Sequence, residues 1–224
     1  MKIMKRRLPF ILALFMLCVF CTFALTACGN TDHAVTGKPT SDSKETSGNT
    51  EHTPTAKSGR ILVACFSATG NTKRAAEYAA EYLHADFYEI LPETPYSAAD
   101  LNYNDPDSRV SKENSDASAR PKIANAVENM AQYDIVIIAH PIWWGQAPKI
   151  IYTFLESYDF GGKALTTMCT SASSPLGSSA DNLKKLTDGS VRWPDSRRFS
   201  SGASPDEVIA WLDGIGLKPS ESYK

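Results

Sequence analysis

The chain has 224 residues, of which 42% are hydrophobic and 21% are charged, a composition typical of one globular domain with appendages. It is too polar for a polytopic membrane protein and too apolar for a disordered chain. The net charge is −2, and it becomes −6 for the residues that follow the first 27, so the chain lacks the basic character of a nucleic-acid-binding protein.

The amino terminus resembles an export signal. Four cations among the first seven residues precede an uncharged run over residues 8–27. Residues 25–28 (LTAC) are similar to the bacterial lipobox, in which small residues precede a cysteine whose thiol accepts a lipid. The pattern predicts a lipoprotein signal peptide over residues 1–27 and lipidation at Cys28, with an uncleaved anchor helix or a conventional cleaved signal as alternatives. Each alternative places the domain outside the cytoplasm, and the lipid would hold it at the extracytoplasmic face of the cell membrane.

The chain then changes composition twice. Residues 28–59 are mostly Thr, Ser, Gly, Lys, Glu and Asn, with Val35 as the one aliphatic side chain larger than Ala. Such a segment buries too little apolar surface to offset its conformational entropy, so we expect a disordered tether. Residues 60–217 have the length and pattern of a single domain, and residues 218–224 form a tail.

The domain contains two cysteines, Cys65 and Cys169, each within an apolar run. We expect buried, unreactive thiols, with a disulfide between them as the alternative for an exported protein. His140 ends an apolar run and has no acidic residue placed beside it, so we expect neither a catalytic triad nor a zinc site, and no metal.

Apolar runs alternate with stretches of helical periodicity along the domain. Strands are predicted at residues 60–67, 87–91, 134–140 and 163–170, with a fifth inside 191–199. Because most of these runs are apolar throughout, they suit strands covered on both faces. The alternation predicts an α/β fold, a doubly wound parallel sheet of five strands with helices on both faces.

Five helices are predicted between and after these strands. The first has an apolar stripe at Ala76, Ala79, Ala80 and Leu83, and the second begins at Pro121 with Ile123, Ala126, Val127 and Met130 on one face. The third begins at Pro148, and the fourth covers residues 180–186. The fifth has the clearest start, a capping box from Ser204 to Glu207 with proline at the first helical position.

Three loops follow strand ends at the edge of the sheet where ligands bind in such folds. The first, residues 67–72 (SATGNT), offers hydroxyls and backbone N–H groups before a helix and suits a phosphate. It matches neither a Walker A loop nor the dinucleotide fingerprint, and a plain turn with a helix cap is the alternative. The second loop has two adjacent tryptophans, Trp143 and Trp144, which suit a planar ligand or else close the sheet end as core residues. The third, residues 170–178, is rich in small polar residues and suits a heterocycle or a flexible connection.

Together the three loops resemble the flavodoxin-like family, which holds FMN with loops of this kind. Residues 67–72 match its phosphate loop, and residues 141–145 (PIWWG) are similar to a subgroup with many exported lipoproteins. The resemblance covers residues 60–217 and implies the strand order 2-1-3-4-5 and FMN as cofactor. It implies as cofactor-binding residues Ser67, Ala68, Thr69, Gly70, Asn71, Thr72, Pro141, Ile142, Trp143, Trp144, Gly145, Thr170 and Ser171.

The resemblance also implies roles for these residues. Trp143 would stack on one face of the flavin ring, with Trp144 near its N5 edge and Gly145 letting the loop adjust. Thr170 and Ser171 would approach the pyrimidine end of the ring. The chain departs from the family after Ser171, where Ala172, Ser173 and Pro175 replace the usual glycines.

The long polar stretch over residues 92–120 has two interpretations. It would form part of the wall of the flavin site or a partner surface, with Tyr96 or Tyr103 near the ring, or else surface decoration without a role.

The resemblance implies a redox function, in which FMN supplies the electron chemistry. The leading hypothesis is electron transfer to a redox partner protein at the membrane. The alternative is an enzyme that reduces quinones or other small acceptors with a nicotinamide donor, and a third is a binding lipoprotein that has lost flavin. The acidic mature part and apolar stacking disfavour the anionic reduced cofactor, so we expect a low reduction potential.

Overall fold

The computed structural model describes residues 59–219. The predicted signal peptide, the lipidation site at Cys28 and almost all of the predicted tether lie outside these residues, so those predictions stay predictions. Among the described residues, no helix is both long enough and apolar enough to span a bilayer.

A parallel sheet of five strands forms the centre of the domain. The strands are β1 (Ile61–Cys65), β2 (Asp86–Glu89), β3 (Ile135–Pro141), β4 (Ala164–Thr170) and β5 (Arg197–Phe199). Their order across the sheet is β2-β1-β3-β4-β5, and every pairing is parallel. The predicted fold class and strand order are confirmed. In this order, successive strands are added to one side of β1 as far as β2 and then to its other side from β3 onward. The carboxyl ends of β1, β3 and β4 meet at one edge of the sheet, at this change of strand order.

Within residues 59–219, five α-helices and one short 3₁₀ helix connect the strands or follow the last of them. The α-helices are α1 (Asn71–Leu83), α2 (Arg109–Ser115), α3 (Lys149–Glu156), α4 (Ser179–Lys184) and α5 (Pro205–Gly214). The 3₁₀ helix spans Met130–Gln132. The predicted start of α5 is confirmed, because the Ser204 hydroxyl accepts from the Glu207 N–H at 3.3 Å and the Glu207 carboxylate accepts from the Ser204 N–H at 2.9 Å.

The sheet has an apolar layer on each face. On one face, the alanine stripe of α1 packs with Val208, Trp211 and Leu212 of α5 against alternate residues of β1 and β3. On the other, apolar residues of α3 and α4 pack against the intervening residues of the same strands. Because both of their faces are covered, β1 and β3 are apolar along almost their whole length, whereas the equally buried β4 includes three threonines.

The helix predicted from Pro121 is absent among the described residues. Ile123 forms an antiparallel bridge with Pro92, and the Ala124 N–H donates to the Leu91 carbonyl at 2.8 Å. The Asn125 amide donates to the Glu89 carbonyl at 2.8 Å and accepts from the Leu91 N–H at 3.2 Å. Backbone groups that a helix would pair internally therefore pair with the segment after β2. The prediction of a helix here was wrong.

The helix between β2 and β3 lies earlier, inside the stretch that we expected to be a connection. It is α2, whose start is capped by the Ser108 hydroxyl, which accepts from the Ser111 N–H at 3.3 Å. Val110 is its one fully buried apolar residue, so the helix has almost no apolar periodicity.

The two cysteines of the domain are free and fully buried, as predicted. Burial raises the pKa of the Cys65 thiol far above its ordinary range and that of Cys169 to about 12. Both thiols are therefore protonated and unreactive at neutral pH.

Candidate cofactor site

A pocket of about 650 Å³ lies at the sheet edge where β1, β3 and β4 end. Its residues come from the three predicted loops, from the α2 region and from the segment after β5. They are Ala68, Thr69, Asn71, Thr72, Leu101, Tyr103, Val110, Pro141, Ile142, Trp143, Trp144, Thr170, Ser171, Ala172, Ser173, Ser174 and Ser201.

The first loop leaves the start of α1 open to the pocket. Gly70 is the capping residue at φ 86°, a conformation that favours glycine, and no side chain caps this helix. The Gly70 N–H donates to the Ser67 hydroxyl at 3.1 Å, and the Arg74 N–H donates to the Gly70 carbonyl at 3.1 Å. The N–H groups of residues 71–73, the first turn of α1, have no hydrogen-bond acceptor among the described residues. A helix start with spare N–H groups is a ready anion site.

A buried hydrogen bond ties the first loop to the third. The hydroxyls of Thr72 and Thr170 lie 2.7 Å apart, and both residues are almost fully buried. Because Thr72 stands in the first turn of α1 and Thr170 ends β4, this bond fixes the helix start against the sheet edge.

The tryptophan loop is a tight turn. The N–H of Trp143 donates to the Gln146 carbonyl at 2.9 Å, and the N–H of Gln146 donates back at 3.0 Å. The two central residues have positive φ, 47° at Trp144 and 74° at Gly145, as in a type I′ turn. A tryptophan in this region costs roughly 1–2 kcal/mol, and such strain concentrates at ligand sites.

The two tryptophans occupy different environments. Trp143 packs edge-on against Phe66 and Tyr96, with ring centroids 5.7 and 5.8 Å away. Trp144 is 44% exposed at the pocket mouth. The indole of Trp143 therefore packs against the core and also lines the pocket. Both interpretations of this residue, a core residue at the sheet end and a surface for a planar ligand, apply to it.

The loop after β4 is anchored by its backbone. The Ser171 N–H donates to the Phe199 carbonyl at 3.1 Å, and its carbonyl accepts from the Arg198 guanidinium at 2.8 Å. The hydroxyl of Ser171 is left to contact a ligand. Farther along, Gly177 at φ 57° approaches the tryptophan loop so closely that a Cβ would lie 3.0 Å from the Gly145 carbonyl.

The stretch over residues 92–120 forms a wall of the pocket, as one of its two interpretations required. Leu101, Tyr103 and Val110 line the pocket, and Tyr103 is 71% exposed at its mouth. Tyr96 lies behind Trp143 instead of in the pocket.

A polar network fixes this wall. The Tyr96 hydroxyl donates to Glu113 at 2.7 Å, Arg109 donates to the same carboxylate at 2.7 Å, and its guanidinium lies 3.9 Å from the Tyr96 ring centroid. Burial and the bond to Glu113 raise the pKa of Tyr96 well above its usual range. The phenol therefore stays protonated and keeps donating.

The pocket is electrically neutral, since none of its lining residues is charged. His140, one residue before Pro141, is fully buried, and burial lowers the pKa of its imidazole to about 4. Its Nδ1 lies 3.0 Å from the Pro141 carbonyl, and its Nε2 lies 3.4 Å from the Cys169 sulfur. The neutral ring thus donates a hydrogen bond through Nδ1 and accepts one from the Cys169 thiol through Nε2. It supports the pocket from behind and does not line it.

These features fit a phosphorylated, planar aromatic ligand. The uncapped start of α1 supplies neutral donors for a phosphate, and the indoles supply apolar faces for a ring. The lining offers hydroxyls, one side-chain amide and aromatic surfaces but no charged side chain, which suits it to binding such a ligand.

Ten of the thirteen residues predicted to bind the cofactor line this pocket. The other three shape the loops: the Ser67 hydroxyl accepts from the Gly70 N–H, and Gly70 and Gly145 have positive φ. The sequence pattern missed Leu101, Val110 and Ser201 as pocket residues. Ala172, Ser173 and Ser174 also line the pocket; they belong to the predicted third loop but were not among the thirteen residues. The loop after β5, which contains Ser201, follows a strand end like the other three loops. This position in the predicted topology could have indicated that the loop reaches the pocket.

The domain and its pocket have the organisation of a flavodoxin. The family model described as flavodoxin matches residues 60–215, so the chain belongs to the flavodoxin family. FMN, the cofactor that the sequence predicted, is confirmed by this membership. The contacts of individual residues with FMN stay predictions.

Solved structures agree with this assignment. A protein designated a flavoprotein from Bacteroides eggerthii is 43% identical, with 71% of this chain and 99% of that chain covered and a TM-score of 0.67. A flavoprotein from Bacteroides uniformis is also 43% identical, with 69% of this chain and 98% of that chain covered and a TM-score of 0.65. A flavoprotein in complex with FMN from Lactobacillus acidophilus is 21% identical, covering 68% and 98%, and its TM-score of 0.51 shows the shared fold alone. The search of curated proteins finds no match.

Proposed function

We propose that this protein is an extracytoplasmic, membrane-tethered flavodoxin that passes electrons between redox partners through FMN. The observation that carries the proposal is the neutral pocket at the sheet edge, which combines an uncapped helix start with two tryptophans. The similar fold of a flavoprotein that contains FMN supports the same ligand.

Each part of the pocket has a task in holding FMN. The first loop and the start of α1 would bind the phosphate with hydroxyls and N–H groups, without a charged side chain. Trp143, held by Phe66 and Tyr96, would present an apolar surface to the ring. The bound flavin would supply reversible one- and two-electron transfer, and the protein would bind and orient it.

The exposed rim favours an electron carrier. Trp144 and Tyr103 stand at the pocket mouth with 44% and 71% of their surface accessible. A partner protein that docks on these side chains would come close to the ring without entering a closed chamber. Aromatic residues of this kind are common at protein interfaces.

The alternative is an FMN-dependent reductase of small acceptors. The observation that favours it is the wall formed by Leu101, Tyr103 and Val110, which gives the pocket an apolar side away from the phosphate loop. A flat apolar acceptor would pack against such a surface.

The membrane tether in the proposal rests on the sequence. The cationic start, the uncharged run over residues 8–27 and Cys28 support export and lipid attachment. The polar segment before residue 60 would then separate the domain from the membrane surface.

The test is an absorbance titration of the purified full-length protein with FMN, followed by anaerobic addition of NADH, NADPH or dithionite. Shifted flavin bands with saturable binding are expected, and a colourless protein without affinity for FMN would refute the proposal. Rapid bleaching by a nicotinamide would identify the reductase. Bleaching by dithionite alone would support the carrier.

A further inference from the structure

Arg198 stands directly behind the loop that lines the pocket after β4. Its terminal nitrogen donates to the Ser171 carbonyl at 2.8 Å. Ser171 itself lines the pocket, so a single residue separates the guanidinium from the ligand space. The adjacent Phe199 carbonyl accepts from the Ser171 N–H, which fixes the same peptide segment from both sides.

Arg198 lies on the edge strand β5, beside two uncharged residues of the neighbouring strands. In the register of the sheet, Arg198 pairs with Cys169, and Cys169 pairs with His140. Neighbouring residues in register point to the same face of a parallel sheet. The thiol is protonated and the imidazole is neutral, so the guanidinium is the one charge among these three.

This cation lacks a carboxylate partner. None of the ion pairs within residues 59–219 includes Arg198, and its Nε is buried without a hydrogen-bond partner. Arginine cannot lose its proton in a protein, so the charge persists. An unpaired, partly buried cation projects a positive potential into its surroundings, and the neutral pocket lining holds no charge that would cancel it.

We propose that Arg198 sets the reduction potential of the bound cofactor by favouring its reduced, anionic form. The inference rests on the proposed function, namely that FMN occupies this pocket. Adding two electrons and one proton to the flavin gives the ring one further negative charge. A fixed cation behind Ser171 binds that form more tightly than the oxidised form, and this differential affinity raises the potential. Arg198 thereby opposes the low potential that an acidic protein with an apolar ring site would otherwise give.

The test compares Arg198→Gln with Arg197→Gln in the full-length protein loaded with FMN. Arg197 is the matched control, because it is the preceding residue of β5, is exposed, and places its guanidinium 5.3 Å from the Phe199 ring instead of on Ser171. The measurements are the dissociation constant for oxidised FMN and the midpoint potential by spectroelectrochemical titration. Far-UV circular dichroism reports the fold, and Arg198→Met replaces the Gln variant if that variant does not fold.

We expect Arg198→Gln to weaken binding of the reduced form about tenfold more than the oxidised form, which is a fall of about 30 mV for a two-electron couple. Arg197→Gln should leave the ratio within twofold of the unmodified protein. Arg198→Lys keeps the charge and should restore most of the potential.

Three outcomes separate the claims. If the unmodified protein does not bind FMN, the proposed function and this inference both fall. If it binds FMN but the potentials of the Arg198→Gln and Arg197→Gln variants agree, the inference alone is overturned. If lysine lowers the potential as much as glutamine, the hydrogen bond to Ser171 acts and the charge does not, which also overturns the inference.

Discussion

At the scale of single residues, the two adjacent tryptophans differ in what surrounds them. Trp143 is braced by Phe66 and Tyr96, whereas Trp144 sits in a strained turn and is 44% exposed. A braced aromatic surface loses little conformational entropy when a ring stacks on it. Trp143 is therefore the tryptophan for which the stacking role implied by the sequence resemblance stays our prediction.

Trp143→Ala should weaken FMN binding by about 1–3 kcal/mol, the range for stacking of an aromatic side chain on a heterocyclic base. Trp144→Ala should cost less, and Trp143→Phe should retain much of the affinity because it keeps an aromatic face. Fluorescence titration gives the three dissociation constants, and the free energy of unfolding without FMN is measured alongside to separate packing from binding. A larger loss of affinity for Trp144→Ala than for Trp143→Ala would show that Trp144, and not Trp143, stacks on the ring.

His140 makes a different prediction, about pH. Its pKa is about 4 in the folded protein because burial disfavours the imidazolium, against about 6.5 in an unfolded chain. Between these values the unfolded chain binds the proton and the folded protein does not, so stability falls as the pH falls. The full effect is about 3 kcal/mol and is complete near pH 4.

Urea unfolding at half-unit steps from pH 7.5 to 4 measures this dependence. His140→Gln removes the titrating group, so its stability should change less over the same interval, whatever its absolute stability. Parallel curves for the two proteins would show that His140 does not titrate in this way.

At the scale of secondary-structure elements, the sheet could be predicted from the sequence, but the structure of the connection between β2 and β3 could not. Strands buried on both faces are continuous apolar runs, and the α5 capping box is a local signal, so both could be predicted. The apolar spacing after Pro121 also suited a helix. There the deciding partners come from distant positions, since Asn125 bonds to Glu89 and Leu91, and the Val127 N–H donates to the Tyr158 hydroxyl at 2.8 Å. The local spacing of apolar residues gives no information about hydrogen bonds to such distant positions in the sequence.

The same limit explains the unpredicted wall of the pocket. Helix α2 has one buried apolar residue, Val110, and is stabilised by Tyr96, Glu113 and Arg109, which are brought together by the fold. The three strand-end loops could be predicted because topology alone sends them to one edge. The wall that α2 contributes belongs to the connection between β2 and β3, and no general rule of topology places that connection at this edge.

Glu113→Gln should loosen α2, because it removes the charge that Arg109 and the Tyr96 hydroxyl share. The two side chains of the ion pair are only 23% and 14% exposed, so the loss should reach about 1–3 kcal/mol in local stability. Amide hydrogen exchange over residues 109–115 measures it.

Lys112→Gln is the matched control on the same helix. It breaks an ion pair with Asp107 whose side chains are 64% and 86% exposed, which is worth about 0–1 kcal/mol. Equal exchange rates in the two variants would mean that the network around Tyr96 does not secure the wall.

At the scale of the whole molecule, the chain divides into parts with different physical tasks. The described domain has a core on both faces of its sheet and a neutral pocket at one edge. The residues before it are predicted from composition to export and tether the domain. A flavodoxin fixed at a membrane would meet membrane-bound partners by diffusion in two dimensions, so attachment bears directly on the proposed electron transfer.

Cys28→Ser tests that attachment. A diacylglyceryl group brings two acyl chains, enough for stable anchoring at about 0.8 kcal/mol per buried methylene, and serine cannot accept it through a thioether. The variant should move from the membrane fraction to the soluble fraction and lose label from a radioactive fatty acid. Cys21→Ser is the matched control, because it makes the same substitution within the uncharged run and leaves residue 28 intact. Retention of the Cys28→Ser variant in alkali-washed membranes would establish an uncleaved anchor helix instead, and an unmodified protein that is soluble from the outset would establish a conventional cleaved signal.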